Sequence, residues 1–339
     1  MRCLSEETAD LVWRAAALEL LECPQYRVGS GSAATYELVP CILQVRNPRR
    51  RWILSRYPPY NPAFGIVEVI WIVTGNQESA VLNHWNPLLP RFAGSGASYH
   101  GAYGYRLRHA FGFDQVERIY EVLRSAPETR QAVLQLWKPE EDMPLRDGRP
   151  VSRDIPCNVS SFLKIRDGKL HWTQVMRSND IMRGLPYNLI QFTMLQEMMA
   201  SWIGCEIGEY CHFSDSLHVY QADKQQFSVL PAVSAAGQDM PFRLSYGETQ
   251  ELFEQLYVRI RGVANGRCRE TELYVLFARD SAKNKDLCEM VKDMMAAVGS
   301  DAARRCGYRD LSYALASACV DADLRNAAVA WLDFRGRTP

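Results

Sequence analysis

The stretch RDIPCNVSSFLKIRDGKLHWTQVMRSNDIMRGLPYN, residues 153–188, carries the clearest local structure in the chain and its least ordinary side chains. SSFLKIRDGKLHWTQVMRS reads as a β-hairpin, because Asp167-Gly168 supplies the residues that tolerate positive φ in a tight turn. Around it stand a single cysteine behind a proline (Cys157), the cluster Arg177-Ser178-Asn179-Asp180, and Gly184-Leu185-Pro186-Tyr187-Asn188. A packed core requires none of these.

Outward from the hairpin, YNLIQFTMLQEMMASWIG (187–204) is apolar nearly all round and predicts a buried central helix. AFGIVEVIWIVTG (63–75) reads the same way, which makes Glu68 conspicuous: an unpaired buried carboxylate is expensive and is either partnered or kept for chemistry. FDQVERIYEVLRSAPETR (113–130) has the spacing of an amphipathic helix, and AVLQLWKP follows as a strand. Residues 1–22 read as one helix, ELVPCILQV and RRRWILSRY as strands flanking a turn at Asn47-Pro48, and SLHVYQA (216–222) as a short strand. YRVGSGSAA (26–34) reads as a Gly/Ser-rich loop led by Arg27, and residues 86–105 as an irregular loop. After about residue 225 the texture turns helical, in GETQELFEQLYVRIRGV, AKNKDLCEMVKDMMAAVG and YRDLSYALASACVDADLRNAAVAWLDF.

The 339 residues, 47% of them hydrophobic, are ample for a sizeable core. With 39 basic and 39 acidic side chains the net charge is zero, which removes the usual argument for nucleic-acid or anionic-membrane binding. No apolar run is long enough for a membrane span, and the N-terminus lacks the basic-then-apolar pattern of a signal peptide, so a cytoplasmic location is expected. The ten cysteines are scattered through apolar surroundings and lack zinc-ligand spacing, so reduced thiols and no metal site are expected.

The order Cys157, Arg177-Ser178-Asn179-Asp180, Gly184-Leu185-Pro186-Tyr187-Asn188, His218-Val219-Tyr220 resembles the thymidylate synthase superfamily, over roughly residues 20–223. Alone, each residue has a plain structural explanation, such as a buried thiol, a helix N-cap at Asn188 or a core histidine. Together, at matching mutual spacing, they carry the resemblance. It implies that the Cys157 thiolate adds to C6 of a pyrimidine, making C5 nucleophilic toward the one-carbon unit of 5,10-methylenetetrahydrofolate. Arg177 would grip the nucleotide phosphate and activate the thiol, which is mostly protonated at its ordinary pKa. Ser178, Arg27 (RVGSGS against the family's RTGTGT) and Arg130, contributed across a homodimer interface, would complete the phosphate site. The resemblance further gives Asn188 the base edge, His218 and Tyr220 the sugar hydroxyl, and Asp180 and Trp85 the folate. Glu68 would organise water and protons around the ring, beside Tyr103.

The departures bear on the reaction. Where synthases carry LPPCH, this chain has RDIPCN: Asn158 replaces the histidine, and Asp154 stands three residues before Cys157. An apolar residue there shields the exocyclic methylene from water, whereas an acid would hold water and yield a hydroxymethyl group. Phage deoxycytidylate hydroxymethylases are similar on this point and in MRSND and SLHVY. The paired trans arginines are reduced to Arg130-Gln131, and the chain ends FRGRTP without the synthases' closing tail. The expected activity is therefore 5-hydroxymethylation of a pyrimidine 5′-monophosphate (dUMP, dCMP or CMP). The alternatives are methylation of dUMP, and an inactive nucleotide- or RNA-binding homologue. The resemblance leans Asn188 toward uracil, since synthases carry Asn there and the phage deoxycytidylate enzymes Asp, but an amide can be turned to face either base, so cytosine is not excluded. The expected fold is α/β (α+β), a thymidylate synthase-like mixed sheet flanked by helices. Residues 1–224 would form the catalytic core and 225–339 a mainly helical extension packed on it.

Overall fold

Strands Asn158–Arg166 and Lys169–Met176 pair antiparallel, with Arg166 opposite Lys169. Asp167 (φ 50°) and Gly168 (φ 73°) make the turn, as their residue types require. The computed structural model describes residues 1–232, 239–266 and 268–337; Thr338 and Pro339 of the FRGRTP end lie outside it. The hairpin sits in a six-stranded sheet ordered Arg2–Glu6, Cys41–Val45, Glu206–Ser214, Lys169–Met176, Asn158–Arg166, Val133–Gln135. The sheet is mixed: its first pair and the pair Glu206–Ser214 with Lys169–Met176 run parallel, and the others antiparallel.

One face of this sheet is buried through Leu170, Trp172, Gln174 and Met176, which alternate with half-exposed His171, Thr173 and Val175. The buried face packs on the central helix Leu185–Ile203. The Gln196 amide of that helix donates to the carbonyls of Leu170 (2.9 Å) and Gly208 (3.0 Å), beside the register shift between Ile207 and Tyr210. The helix Pro62–Val73, capped by the Asn61 side chain on Ala63 N–H (3.1 Å), packs against the central helix and brings Glu68 inside. A Cβ on Gly104 would lie 2.5 Å from the Ile72 carbonyl oxygen, so only glycine lets the helix Tyr103–Arg108 approach this closely.

A second sheet, ordered Tyr26–Val28, Thr35–Leu38, Leu217–Tyr220, Asn179–Asp180, lies beside the first. Five helices follow: Tyr246–Asn265, Glu270–Phe277, Glu289–Arg305, Arg309–Ser317 and Ala322–Arg337. Their Phe253, Met294 and Val298 belong to the same apolar core as Trp13, Phe64 and Phe192. The third of them packs on Pro62–Val73, where its Asp301 accepts from the Asn61 amide at 3.1 Å.

Several local expectations need correction. Residues 1–22 divide into the strand Arg2–Glu6 and the helix Ala9–Glu22, started by Thr8. Pairing with Cys41–Val45 overrides helical preference in the first residues. RRRWILSRY is mostly irregular, with only Arg56–Tyr57 paired. The N–H groups of Leu54 and Ser55 are taken by Asp10 Oδ1 (2.7 Å each), so they join no ladder. The helix expected over 113–130 spans Gln115–Ser125, and the one in AKNKDLCEMVKDMMAAVG begins only at Glu289. The strand Glu206–Ser214 went unread: its inward residues include Gly208, His212 and Ser214, which weaken the apolar alternation.

Candidate active site

The hairpin explains the spacing of its own flanks. Asn158 pairs with Met176, so the residues just outside, Cys157 and Arg177, also meet. Arg177 N–H donates to the Cys157 carbonyl at 3.0 Å, and its Nη2 lies 3.9 Å from Cys157 Sγ. The guanidinium also donates to the carbonyls of Pro156 (3.0 Å) and Ile155 (3.2 Å) and lies over Trp137, 5.4 Å from the ring centre. Burial pushes the Cys157 thiol above its ordinary pKa; Arg177 pulls it back, while Asp154 and Asp180 oppose that pull. The resting group is therefore the thiol, with the cation already in place for the thiolate.

Asp154 Oδ2 accepts from Gly101 N–H at 2.7 Å. Burial raises this carboxyl, and the Gly101 bond and the charges of His100 and Arg106 work against the rise. Tyr103 opens the helix after that loop, with its phenol beside Asn158, Cys157 and Asp154. Burial first, then the neighbouring Cys157 and Asp154, holds its phenol well above 10. Glu68 faces this group from the opposite helix. Burial lifts its carboxyl to about 8, eased a little by the neighbouring Gln191 side chain, and Oε2 is buried with no hydrogen-bond partner among the described residues.

Parallel pairing of Leu217 with Asn179 and His218 with Asp180 assembles a second group. Ser178 Oγ lies 3.5 Å from His218 Nδ1. Asp180 Oδ1 accepts from Met182 N–H (2.7 Å) and Arg183 N–H (2.9 Å). Burial raises the Asp180 carboxyl, and those bonds with the neighbouring His218 and Arg183 restrain it. His218 and Tyr220 meet edge to face at 5.4 Å. Asn188, in the first turn of the central helix, donates through Nδ2 to Gln191 Oε1 at 3.1 Å.

Three expected residues stand apart. Arg27 is exposed on the small sheet's edge strand, over the Tyr36 ring at 5.9 Å. Arg130 is exposed on the turn leading to the edge strand Val133–Gln135. Trp85 is buried, and its ring faces Arg305 (5.7 Å), whose Nη2 donates to the Trp85 carbonyl at 2.5 Å.

Other residues of the site went unnoticed in the sequence. His100 and Arg106 both hold Asp142: His100 Nε2 lies 2.8 Å from Oδ1, and Arg106 donates to both oxygens at 2.9 Å. Arg106 also donates to the His100 carbonyl at 3.1 Å, which fixes the peptide leading to Gly101 and hence Asp154. Their signal, an arginine in an otherwise aromatic YHGAYGYR, does not reveal a partner 36 residues away. Asn158, already conspicuous in the sequence where synthases carry histidine, is fully buried and accepts from Gln174 Nε2 at 2.8 Å. Among the described residues, no three His, Cys, Asp or Glu side chains converge as metal ligands, and no helix is long and apolar enough to cross a membrane.

Residues 61–248 match the family described as Thymidylate synthase. The chain is 35% identical over 198 residues to the deoxyuridylate hydroxymethyltransferase of Bacillus phage SP01, covering 55% of this chain and 51% of that protein. It is 32% identical over 163 residues to the deoxyuridylate hydroxymethyltransferase of Pseudomonas phage M6, covering 48% and 45%. A relative from Methanothermobacter marburgensis whose name carries thymidylate synthase is 35% identical over 121 residues, covering 36% and 51%. The chain spans about half the length of these curated relatives.

Proposed function

The chain belongs to the thymidylate synthase family, and from this we propose that it is a pyrimidine nucleotide 5-hydroxymethylase acting on deoxyuridylate. The observation that carries the hydroxymethyl product is Asp154. Its carboxyl is held by Gly101 N–H beside Tyr103 and Cys157, where a synthase-like apolar residue would exclude water. The names of the phage relatives support the same product and the same base.

Arg177 and Ser178 bind the 5′-phosphate, joined by Arg27 and, from a second subunit, Arg130. His218 and Tyr220 hold the sugar hydroxyl, and Asn188 the base edge. Cys157 adds to C6, so that electron density is delivered to C5. 5,10-methylenetetrahydrofolate supplies the one-carbon unit when bound. Asp180 fits its donor-rich ring edge, since this carboxyl is buried yet has only one oxygen engaged by backbone. Trp85 would line the same side once Arg305 yields its face. Tetrahydrofolate would depart as its bond to the transferred carbon breaks and C5 loses its proton; water held by Glu68 and Asp154 then adds its oxygen to the exocyclic methylene and gives up a proton, and Cys157 leaves C6. The nucleotide gains CH2O in all.

Residues 1–224 are read as the catalytic core and 225–339 as an extension. The half-exposed row Ile42, Phe213 and Val175, adjacent across three strands, suits a dimer formed through the large sheet. Incubation with methylenetetrahydrofolate and a mixture of dUMP, UMP, dCMP and CMP, followed by mass spectrometry, tests the proposal. A gain of CH2O on dUMP supports it. A gain of CH2 with formation of dihydrofolate overturns hydroxymethylation in favour of methylation, and the absence of any product leaves a binding protein.

A further inference from the structure

Two successive backbone donors, Leu136 N–H (2.9 Å) and Trp137 N–H (3.1 Å), converge on the Val159 carbonyl. On its other side Val159 is the extra residue between Asn158, paired with Met176, and Ser160, paired with Val175. It therefore sits in a β-bulge, a device that re-aims side chains beside active sites. The bulge lies two residues past Cys157 and just beyond the edge strand Val133–Gln135. There the half-buried Trp137 ring carries the Arg177 guanidinium over its face, 5.4 Å from its centre. The Trp137 carbonyl accepts from Gln135 Nε2 at 2.8 Å, so both of its backbone groups are held.

Arg177 is exposed, and among the described residues no carboxylate pairs with it, unlike Arg106 and Arg305. Its Nε donates to the Pro156 carbonyl at 3.0 Å, and its Nη2 to the Ile155 carbonyl at 3.2 Å. Nη2 also lies 3.9 Å from Cys157 Sγ, and neither N–H of Nη1 meets an acceptor among the described residues. A guanidinium is planar and carries all five N–H groups in its plane. Two hydrogen bonds along one edge leave the plane free to tip about that edge. A ring against its face stops the tipping and consumes no donor, and tryptophan offers the strongest such face. We propose that Trp137 is a positioning residue whose indole holds the Arg177 plane, so that Nη2 stays turned to the Cys157 sulfur while Nη1 is presented to the substrate's 5′-phosphate. The phosphate half of this inference rests on the functional reading above; the thiol half needs no nucleotide.

Among the groups around Cys157, Arg177 is the cation that favours the thiolate. Asp154 and Asp180 oppose it, and the Tyr103 and Tyr220 phenols, both raised by burial, stay neutral. Trp137→Leu is therefore expected to move the pH profile of Cys157 alkylation by iodoacetamide upward, read at the Cys157 peptide. The dUMP affinity by calorimetry should fall about tenfold with it. Trp137→Met, which fills the space flexibly, should do the same. Trp137→Phe keeps an aromatic face and is expected to retain the wild-type profile, with dUMP affinity within about threefold. In an Arg177→Ala background Trp137→Leu should change neither quantity further, because the ring acts only through the guanidinium. A further shift of similar size there marks a merely structural ring and overturns the proposal. So does a Trp137→Leu profile that coincides with the wild type's, or a Trp137→Phe variant as impaired as Trp137→Leu. A wild-type chain that binds no dUMP overturns the functional reading and the phosphate half together, and the alkylation series then decides the thiol half alone.

Discussion

The Arg177 guanidinium lies 3.9 Å from the Cys157 thiol, while the backbone N–H of the same arginine closes on the Cys157 carbonyl at 3.0 Å. One residue thus supplies both the strand pairing that holds the cysteine and the charge that favours its thiolate. Arg177→Ala is expected to move the pH profile of Cys157 alkylation upward, because burial would then act without its main opponent. Alkylation rates across pH, read at the Cys157 peptide by mass spectrometry, check this. An unmoved profile would remove Arg177 from thiol activation.

Cys157→Ala is expected to reduce product formation to background while nucleotide affinity stays within about threefold, since the phosphate and base contacts remain. Calorimetry beside product assays separates the two effects. Turnover at the wild-type rate would eliminate the covalent mechanism.

Asp154→Leu is expected to raise the share of methylated over hydroxymethylated nucleotide, as an apolar group replaces the carboxyl held at Gly101. The product ratio by mass spectrometry decides it, and an unaltered ratio counts against a water-holding role.

Glu68 connects the site to stability. Its carboxyl titrates near the ordinary 4.5 when unfolded and at about 8 when folded. The folded state therefore keeps a proton that the unfolded state loses, and the stability this gives below pH 4.5 is lost progressively up to pH 8. Glu68→Gln removes the titration. Relative to that variant, the wild-type chain should lose on the order of a few kcal/mol between pH 5 and pH 8. Urea denaturation at several pH values measures this, and parallel curves for the two proteins would show that Glu68 is not held protonated.

Asp301 ties the C-terminal helices to the site. It accepts from Arg304 and Arg305 (2.8 Å each), from Trp331 (2.9 Å) and from Asn61 (3.1 Å), which caps the helix of Glu68. Burial would raise its carboxyl, but Arg305 and Arg304 outweigh that and hold it low. Its contribution to stability is therefore present above the ordinary carboxylate range and lost as pH falls below it. Asp301→Ala should destabilise the chain by about 1–3 kcal/mol, as the partly buried Arg304 and Arg305 and the Asn61 and Trp331 donors lose their shared acceptor. A midpoint shift well under about 1 kcal/mol would show that the helices dock without it.

Much of this was readable in the order of residues. The Asp167-Gly168 turn specifies the hairpin, because few residue pairs accept its dihedral angles, and the hairpin in turn brings Cys157 to Arg177. The apolar composition of 187–204 and 63–75 announced two buried helices, and Glu68 stood out within one of them as the wrong residue for such surroundings. Periodicity and turn chemistry act over a few residues, so they survive in a linear reading.

Other features exist only in three dimensions. RRRWILSRY has strand composition, yet Asp10 takes its backbone donors from 44 residues away and leaves most of it unpaired. Gln191 reads as one polar residue in an apolar helix until Glu68 and Asn188 are seen on either side of it. Arg106 finds Asp142, and Trp85 is covered by Arg305, through contacts that no local pattern encodes. The sequence determined the hairpin, the two buried helices and the residue types at the candidate site; tertiary packing decided the remaining strands and which buried polar group meets which, because such a group must find its partner wherever the fold places one.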